Sequence, residues 1–130
     1  MRWRGEDTSY AVRAERLRRH RAGGAAAHAE GADMVTYVTL FNWTEQGISK
    51  IGDTIKRAED FAAVAEKAGA RVKAQYWTVG AYDGMVILEA PDDATAVGLV
   101  AKVAKLGNIH TQTLRAFDSA EMRGVLGKVK

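Results

Sequence analysis

Few side chains in this 130-residue chain have both the type and the setting for chemistry, and most of those few carry oxygen. Tyr82 and Asp83 stand together in Gly80-Ala-Tyr-Asp-Gly84, a phenol beside a carboxylate just after a glycine turn. Glu89 lies in an apolar run, Met85-Val-Ile-Leu-Glu-Ala90, where burial would raise its pKa and keep its proton available. A glutamate that ends a strand at the solvent edge is the plainer alternative. Asp83 likewise reads first as a hairpin cap, accepting backbone N–H groups near the Gly80 turn. His110 is the one histidine beyond residue 34; with His20 and His28 it makes three scattered imidazoles, not a metal site. Proton transfer among Tyr82, Asp83, Glu89 and His110 is the reaction chemistry such groups offer. Zero Cys removes thiol catalysis, thiolate metal sites and disulfide frameworks. The segment 80–84 lacks the pattern of a phosphate loop and precedes a strand rather than a helix. No metal and no cofactor is expected.

These groups must be held by elements that the hydrophobic pattern marks out from Met34 onward. Met34 to Phe41 is β-branched and aromatic, a strand. Thr44 is placed to cap a helical stretch that runs to Ala68, with Ile48, Ile51, Ile55, Ala58, Ala62 and Ala65 at helical spacing. Gly52-Asp53 predicts a break in it, and Gly69 its end. Val72 to Val79 and Tyr82 to Ala90 are two further strands joined through Gly80. Pro91-Asp92 opens a second helix, with Ala94, Val97, Val100, Ala101 and Ala104 on one side and Gly107 as its stop. Ile109 to Phe117 is the fourth strand. In the tail, Asp118 and Glu121 form a capping-box pattern ahead of Met122, Val125, Leu126 and Val129. Helix, glycine, strand recurs in Lys67-Ala-Gly-Ala-Arg-Val and Lys105-Leu-Gly-Asn-Ile-His. Two βαβ halves joined by a tight turn predict an α+β, ferredoxin-like βαββαβ fold. Its four-stranded antiparallel sheet carries both helices on one face, and a short C-terminal helix follows.

Residues 1–33 read differently. They hold seven Arg, no Lys and five acids, against four Arg, eight Lys and eleven acids in residues 34–130. Gly23-Gly24 and an unpatterned alanine run predict a disordered Arg/Ala/Gly-rich extension outside the fold. Whether it belongs to the native protein, or follows from a start assigned too early, stays open. Three parts result: the extension 1–33, the domain 34–117 and the helical tail 118–130. Nucleic acid is not an expected partner, because acids dilute the basic run and no aromatic platform accompanies it. No stretch approaches the ~18 apolar residues of a membrane span. A secretory signal is also missing, so a cytoplasmic location is expected.

Strand alternation then suggests what the sheet presents. Taking Val38 and Leu40 toward the helices turns Val35, Tyr37, Thr39 and Phe41 to the other face. The second strand would add Lys73, Gln75 and Trp77 there, and the fourth Thr111, Thr113 and Arg115. Aromatic groups on an uncovered sheet call for a partner, and pairing two such sheets makes a dimeric α/β barrel. A homo-oligomer, dimer or higher, is therefore expected. Its partly polar lumen would be a pocket for a small organic ligand. Tyr37, Trp77, Tyr82, Asp83, Glu89, Thr111 and Arg115 are its candidate binding residues. Lys56 and Arg57 read as a solvated helix face.

Residues 34–117 resemble the GYD domain family of small, mostly bacterial and archaeal proteins. The matching stretches are Thr36-Tyr-Val-Thr-Leu, Lys56-Arg-Ala, Trp77-Thr-Val-Gly-Ala-Tyr-Asp, Glu89-Ala-Pro-Asp-Asp and Leu106-Gly-Asn-Ile-His-Thr-Gln-Thr-Leu-Arg-Ala-Phe. The naming motif falls on Gly80, Tyr82 and Asp83. The resemblance implies a ferredoxin-like relative of the dimeric α/β barrels and assigns no activity, and the tail after Phe117 is expected to lie beyond it. Three functions compete. The favoured one is an oligomeric small-ligand-binding or sensing module. The others are a structural or interaction oligomer and a cofactor-free enzyme of the monooxygenase- or isomerase-like barrel type.

Overall fold

The computed structural model describes residues 34–129; residues 1–33, with every expectation placed on them, and residue 130 lie outside the described residues. The elements are β1 (Val35–Trp43), α1 (Glu45–Ser49), a 3-10 turn (Ile51–Asp53), α2 (Thr54–Lys67), β2 (Arg71–Trp77), β3 (Gly84–Ala90), α3 (Asp93–Ala104), β4 (Ile109–Ala116) and α4 (Ser119–Leu126). The strands form one antiparallel sheet in the order β2-β3-β1-β4, with α2 and α3 packed on one face. This is the ferredoxin-like α+β arrangement. No described helix is long and apolar enough to cross a membrane.

Local chemistry explains where the elements start and stop. Thr44 Oγ1 accepts the Gly47 N–H at 3.0 Å and donates to the Gly107 carbonyl at 2.6 Å, so α1 is capped and tied to the α3–β4 turn. The break expected at Gly52-Asp53 is the 3-10 turn. Gly69 and Gly107 both take φ 81°, so the two halves of the internal echo stop with the same left-handed glycine. Asp92 caps α3, accepting the Thr95 N–H at 2.7 Å, and that bond holds its carboxyl below its ordinary value. Asp118 and Glu121 form the expected capping box at the start of α4.

The faces of the elements differ from the alternation reading. Tyr37, Thr39 and Phe41 are buried. Tyr37 belongs to a core with Leu88, Ala65, Ala96 and Leu99, against which Val35, Phe61 and Val64 pack. The odd-numbered residues of β1 therefore face the helices, and Val38 and Leu40 lie on the helix-free side. The reason is that β1 is apolar in both phases: Val35, Tyr37 and Phe41 compete with Val38 and Leu40, and helix packing chose the larger set. In β2, Val72 pairs with Leu88 but Ala74 pairs with Ile87, so Lys73 is an extra residue in a bulge. Val72, Gln75 and Trp77 consequently share the helix side, while Ala74 and Tyr76 take the other.

The helices differ similarly. Ile48, Ile51 and Ile55 are exposed, while Ala65 is fully buried and Phe61 and Val64 pack on the core. The 3-10 turn, with three residues per turn instead of 3.6, shifts the phase between α1 and α2. In α3 the buried residues are Ala96 and Leu99, and Val97 is exposed. That helix is apolar nearly all round, so spacing alone does not select a face.

Tyr37 is the core residue with a polar end. Its phenol donates to Asp93 Oδ1 at the start of α3. Burial, then this hydrogen bond and the Asp93 charge, raise its pKa from 10.0 to about 12 against the opposing pull of Arg115. A raised folded-state pKa gives stability that is complete below the unfolded value. It declines as the pH climbs from about 10 through about 12. Tyr37→Phe should cost about 1 kcal/mol at neutral pH. It should also flatten the alkaline decline, as urea melts between pH 8 and 12 would show. An unchanged alkaline slope would refute this role.

Candidate functional site

A cavity of about 260 Å³ opens between the sheet and its two helices. Phe41, Trp43, Val86, Leu88 and Thr111 contribute its floor, Arg57 and Phe61 its α2 wall, and Val100 and Val103 its α3 wall. Phe41 and Trp43 stand edge to face, 6.4 Å between ring centroids and 63° between planes, forming a rigid aromatic end. The Trp43 backbone N–H donates to Asp83 Oδ2 at 2.9 Å, and the Asp83 N–H to the Phe41 carbonyl at 2.9 Å. The β2–β3 connection is thus fastened to the strand that carries both rings. Behind them, the Thr39 and Thr113 hydroxyls bond across the sheet at 3.0 Å.

A polar cavity adjoins the apolar one and shares Arg57, Asp60 and Asn108 with it, adding Lys50, Asp53 and Lys56. Lys56 is exposed and pairs with Asp60 at 3.7 Å, in keeping with a solvated face. Arg57 departs from that reading. It is half-buried, its Nη2 donates to the Lys50 carbonyl, and its Nε is buried with no hydrogen-bond partner among the described residues. Sequence reasoning missed it, although Arg57, Phe61 and Val64 have the i, i+4, i+7 spacing of one helix face.

Of the seven residues expected to form a pocket, Thr111 lines the cavity and the others do not. Tyr37 lies in the core beside its strand partner Arg115, whose guanidinium stands 6.0 Å from the Tyr37 ring centroid and 4.5 Å from that of Phe117. Arg115 also pairs with Glu121 of α4 at 3.6 Å. Trp77, on the outer strand, donates its indole N–H to Thr54 Oγ1 at 3.0 Å. Tyr82 reaches Gln112 Oε1 at 2.8 Å, away from the helices. Asp83 acts as a backbone clamp. Glu89 is buried on the helix-free side, 2.5 Å from Arg71 and 3.5 Å from Lys73, so the solvent-edge alternative does not hold. Tyr82, Asp83, Glu89 and His110 are not gathered around the cavity. His110 is exposed on β4. Among the described residues, no three His, Asp or Glu are grouped so that they could hold a metal ion. The cavity is therefore equipped to enclose an apolar body, with hydroxyl groups on its floor and charge at one edge.

The family model described as the GYD domain matches residues 37–126. The match runs through α4, past the Phe117 limit set by the sequence resemblance. Over 90 residues the chain is 31% identical to a protein of Thermus thermophilus named as a glutamine synthetase and cystathionine beta-lyase binding protein. That alignment covers 68% of this chain and 95% of the relative. No solved structure matches the chain. With its naming motif on Gly80, Tyr82 and Asp83 and the family match spanning β1 to α4, the chain belongs to the GYD domain family.

Proposed function

We propose that the protein is an oligomeric binding module that holds a small apolar molecule between its sheet and helices. The cavity carries this reading: its size and mostly apolar walls, with a few polar groups, match the pattern of small-molecule sites. Thr111 is the one binding residue expected from sequence that stays in this proposal. The homo-oligomer rests on the opposite face of the sheet. There Val38, Leu40, Met85 and Ile87 are half-exposed on the two central strands, flanked by the exposed Tyr76 and Leu114. A second copy laid on this face would remove that apolar surface from water.

Native mass spectrometry of the full chain tests both parts, reading the assembly mass and any retained small molecule. A dimer or larger assembly is expected, and Leu40→Lys should yield a folded monomer because pairing would bury an unpartnered charge. A wild-type monomer at tens of micromolar would remove the oligomer from the proposal. The relative's name favours a second reading, in which the module engages a partner enzyme. Ile48, Ile51 and Ile55, exposed together at the α1–α2 junction, support such an interaction surface.

A further inference from the structure

We infer that α4 is an arm by which one copy of the chain grips another: its apolar stripe, with Phe117, seats on the helix-free sheet face of a second copy. This rests on the homo-oligomer reading above and names what covers that face. Met122, Val125 and Leu126 stand at i, i+3 and i+4 on α4. Val129 lies one turn further on, where the Lys128 and Val129 N–H groups bond to the Val125 and Leu126 carbonyls. All four are exposed, as is Phe117, and no residue of α4 is buried. An eight-residue helix with Gly124 inside it is marginal in water even with its capping box, and holds when its apolar side is packed.

The free sheet face of the same chain is out of reach of this arm. Arg115 stands over the Tyr37 ring, on the helix side of the sheet, and also meets Phe117 at 4.5 Å from its ring centroid and Glu121 at 3.6 Å. These contacts hold the start of α4 on the helix side of its own sheet, so a covering arm must come from another copy. Area favours the exchange. At roughly 100 Å² for a fully exposed aliphatic side chain and 200 Å² for an aromatic one, the arm with Phe117 offers on the order of 300 Å² of apolar surface. By the same measure the sheet face, with Val38, Leu40, Tyr76, Met85, Ile87 and Leu114, offers about 250 Å². The two are matched in size. A stable dimer needs about 500 Å² of apolar surface from each partner, so neither surface suffices alone and both together do.

Sedimentation of the full chain and its variants tests the arm. Leu126→Asp should raise the dissociation constant of the assembly by about a hundredfold or more, because every exchanged arm would bury an unpartnered carboxylate. Ala120→Asp, on the opposite side of α4, should leave assembly unchanged; far-UV circular dichroism confirms that each variant is folded. The chain has no cysteine, so Lys128→Cys can carry a thiol-directed benzophenone at the margin of the stripe. In a mixture of light and heavy-isotope chains, photolysis should join it to β1, β3 or β4 of a different copy. Assembly that survives Leu126→Asp but is lost in Leu40→Lys would overturn the arm and leave the oligomer standing. Crosslinks that stay within one copy, or that reach residues 1–33 instead of the sheet, would also overturn the arm. Wild-type chains that remain monomeric at tens of micromolar would overturn the arm and the oligomer together.

Discussion

Gly47→Ala should destabilise the domain by about 2–3 kcal/mol, the largest loss expected from adding a single methyl group. A Cβ at this position would lie 1.9 Å from the Asn108 carbonyl oxygen and 2.8 Å from its carbon, so backbone, not a flexible side chain, would have to yield. That carbonyl already accepts the Thr44 N–H at 3.1 Å. Gln46 Nε2 adds bonds to the Leu106 carbonyl at 3.0 Å and Asn108 Oδ1 at 2.9 Å. Moving α1 away therefore breaks its whole attachment to the α3–β4 turn. For a domain of this size the melting temperature should fall by roughly 8 °C or more. Gly52→Ala is the control, since a Cβ there meets nothing within 4 Å. Equal melting temperatures for the two variants would show that the close approach of α1 to Asn108 is not formed.

Gly84→Ala should combine a loss of about 1–3 kcal/mol with a loss of cavity. The added carbon would stand 2.2 Å from Phe41 Cζ and 2.8 Å from the Tyr76 carbonyl oxygen. The carbonyl belongs to the β2–β3 ladder and cannot retreat without opening the Tyr76–Met85 and Trp77–Gly84 pairs. The phenyl ring gives way first, and the open space beside it is the cavity that it lines. Binding of any cavity ligand should consequently weaken more than stability alone would suggest. Calorimetric titration of the folded variant, set beside its urea melt, separates the two effects. A destabilised variant with undiminished ligand affinity would show that the ring has moved elsewhere.

The order of elements was legible because it is written in local signals. Capping residues at Thr44, Asp92 and Asp118, and glycines at 69 and 107, act within one turn of their own position. Faces were less legible because they depend on competition between distant parts. Tyr37 against Val38 is undecided until α2 and α3 choose a side of β1. The Lys73 bulge moves half of β2 by one place without any glycine or proline to announce it. The cavity was least legible, since empty space arises where Thr39, Ala58 and Thr111 are too small to fill what Phe41 and Phe61 hold apart. Glu89 could be picked out as a carboxylate in an apolar run, but its ion pairs required Arg71 to arrive from another strand. Arg57 needed the same kind of tertiary information.

The Lys73 bulge also bears on how the chain behaves in crowded solution. β2 is an outermost strand of the sheet, and an outermost strand offers its unpaired N–H and carbonyl groups as a template for any extended segment nearby. A regular ladder cannot propagate across the bulge, and an incoming strand would also have to accommodate the Lys73 ammonium, which is already held 3.5 Å from Glu89. One irregularity of backbone thus blunts fibril-like growth from that margin. The opposite margin, β4, pairs with β1 in unbroken register over eight residues from Thr36 to Trp43 and carries no such interruption. Misassembly at high concentration should therefore be directional, beginning at β4 and leaving β2 as the side on which added strands find no purchase.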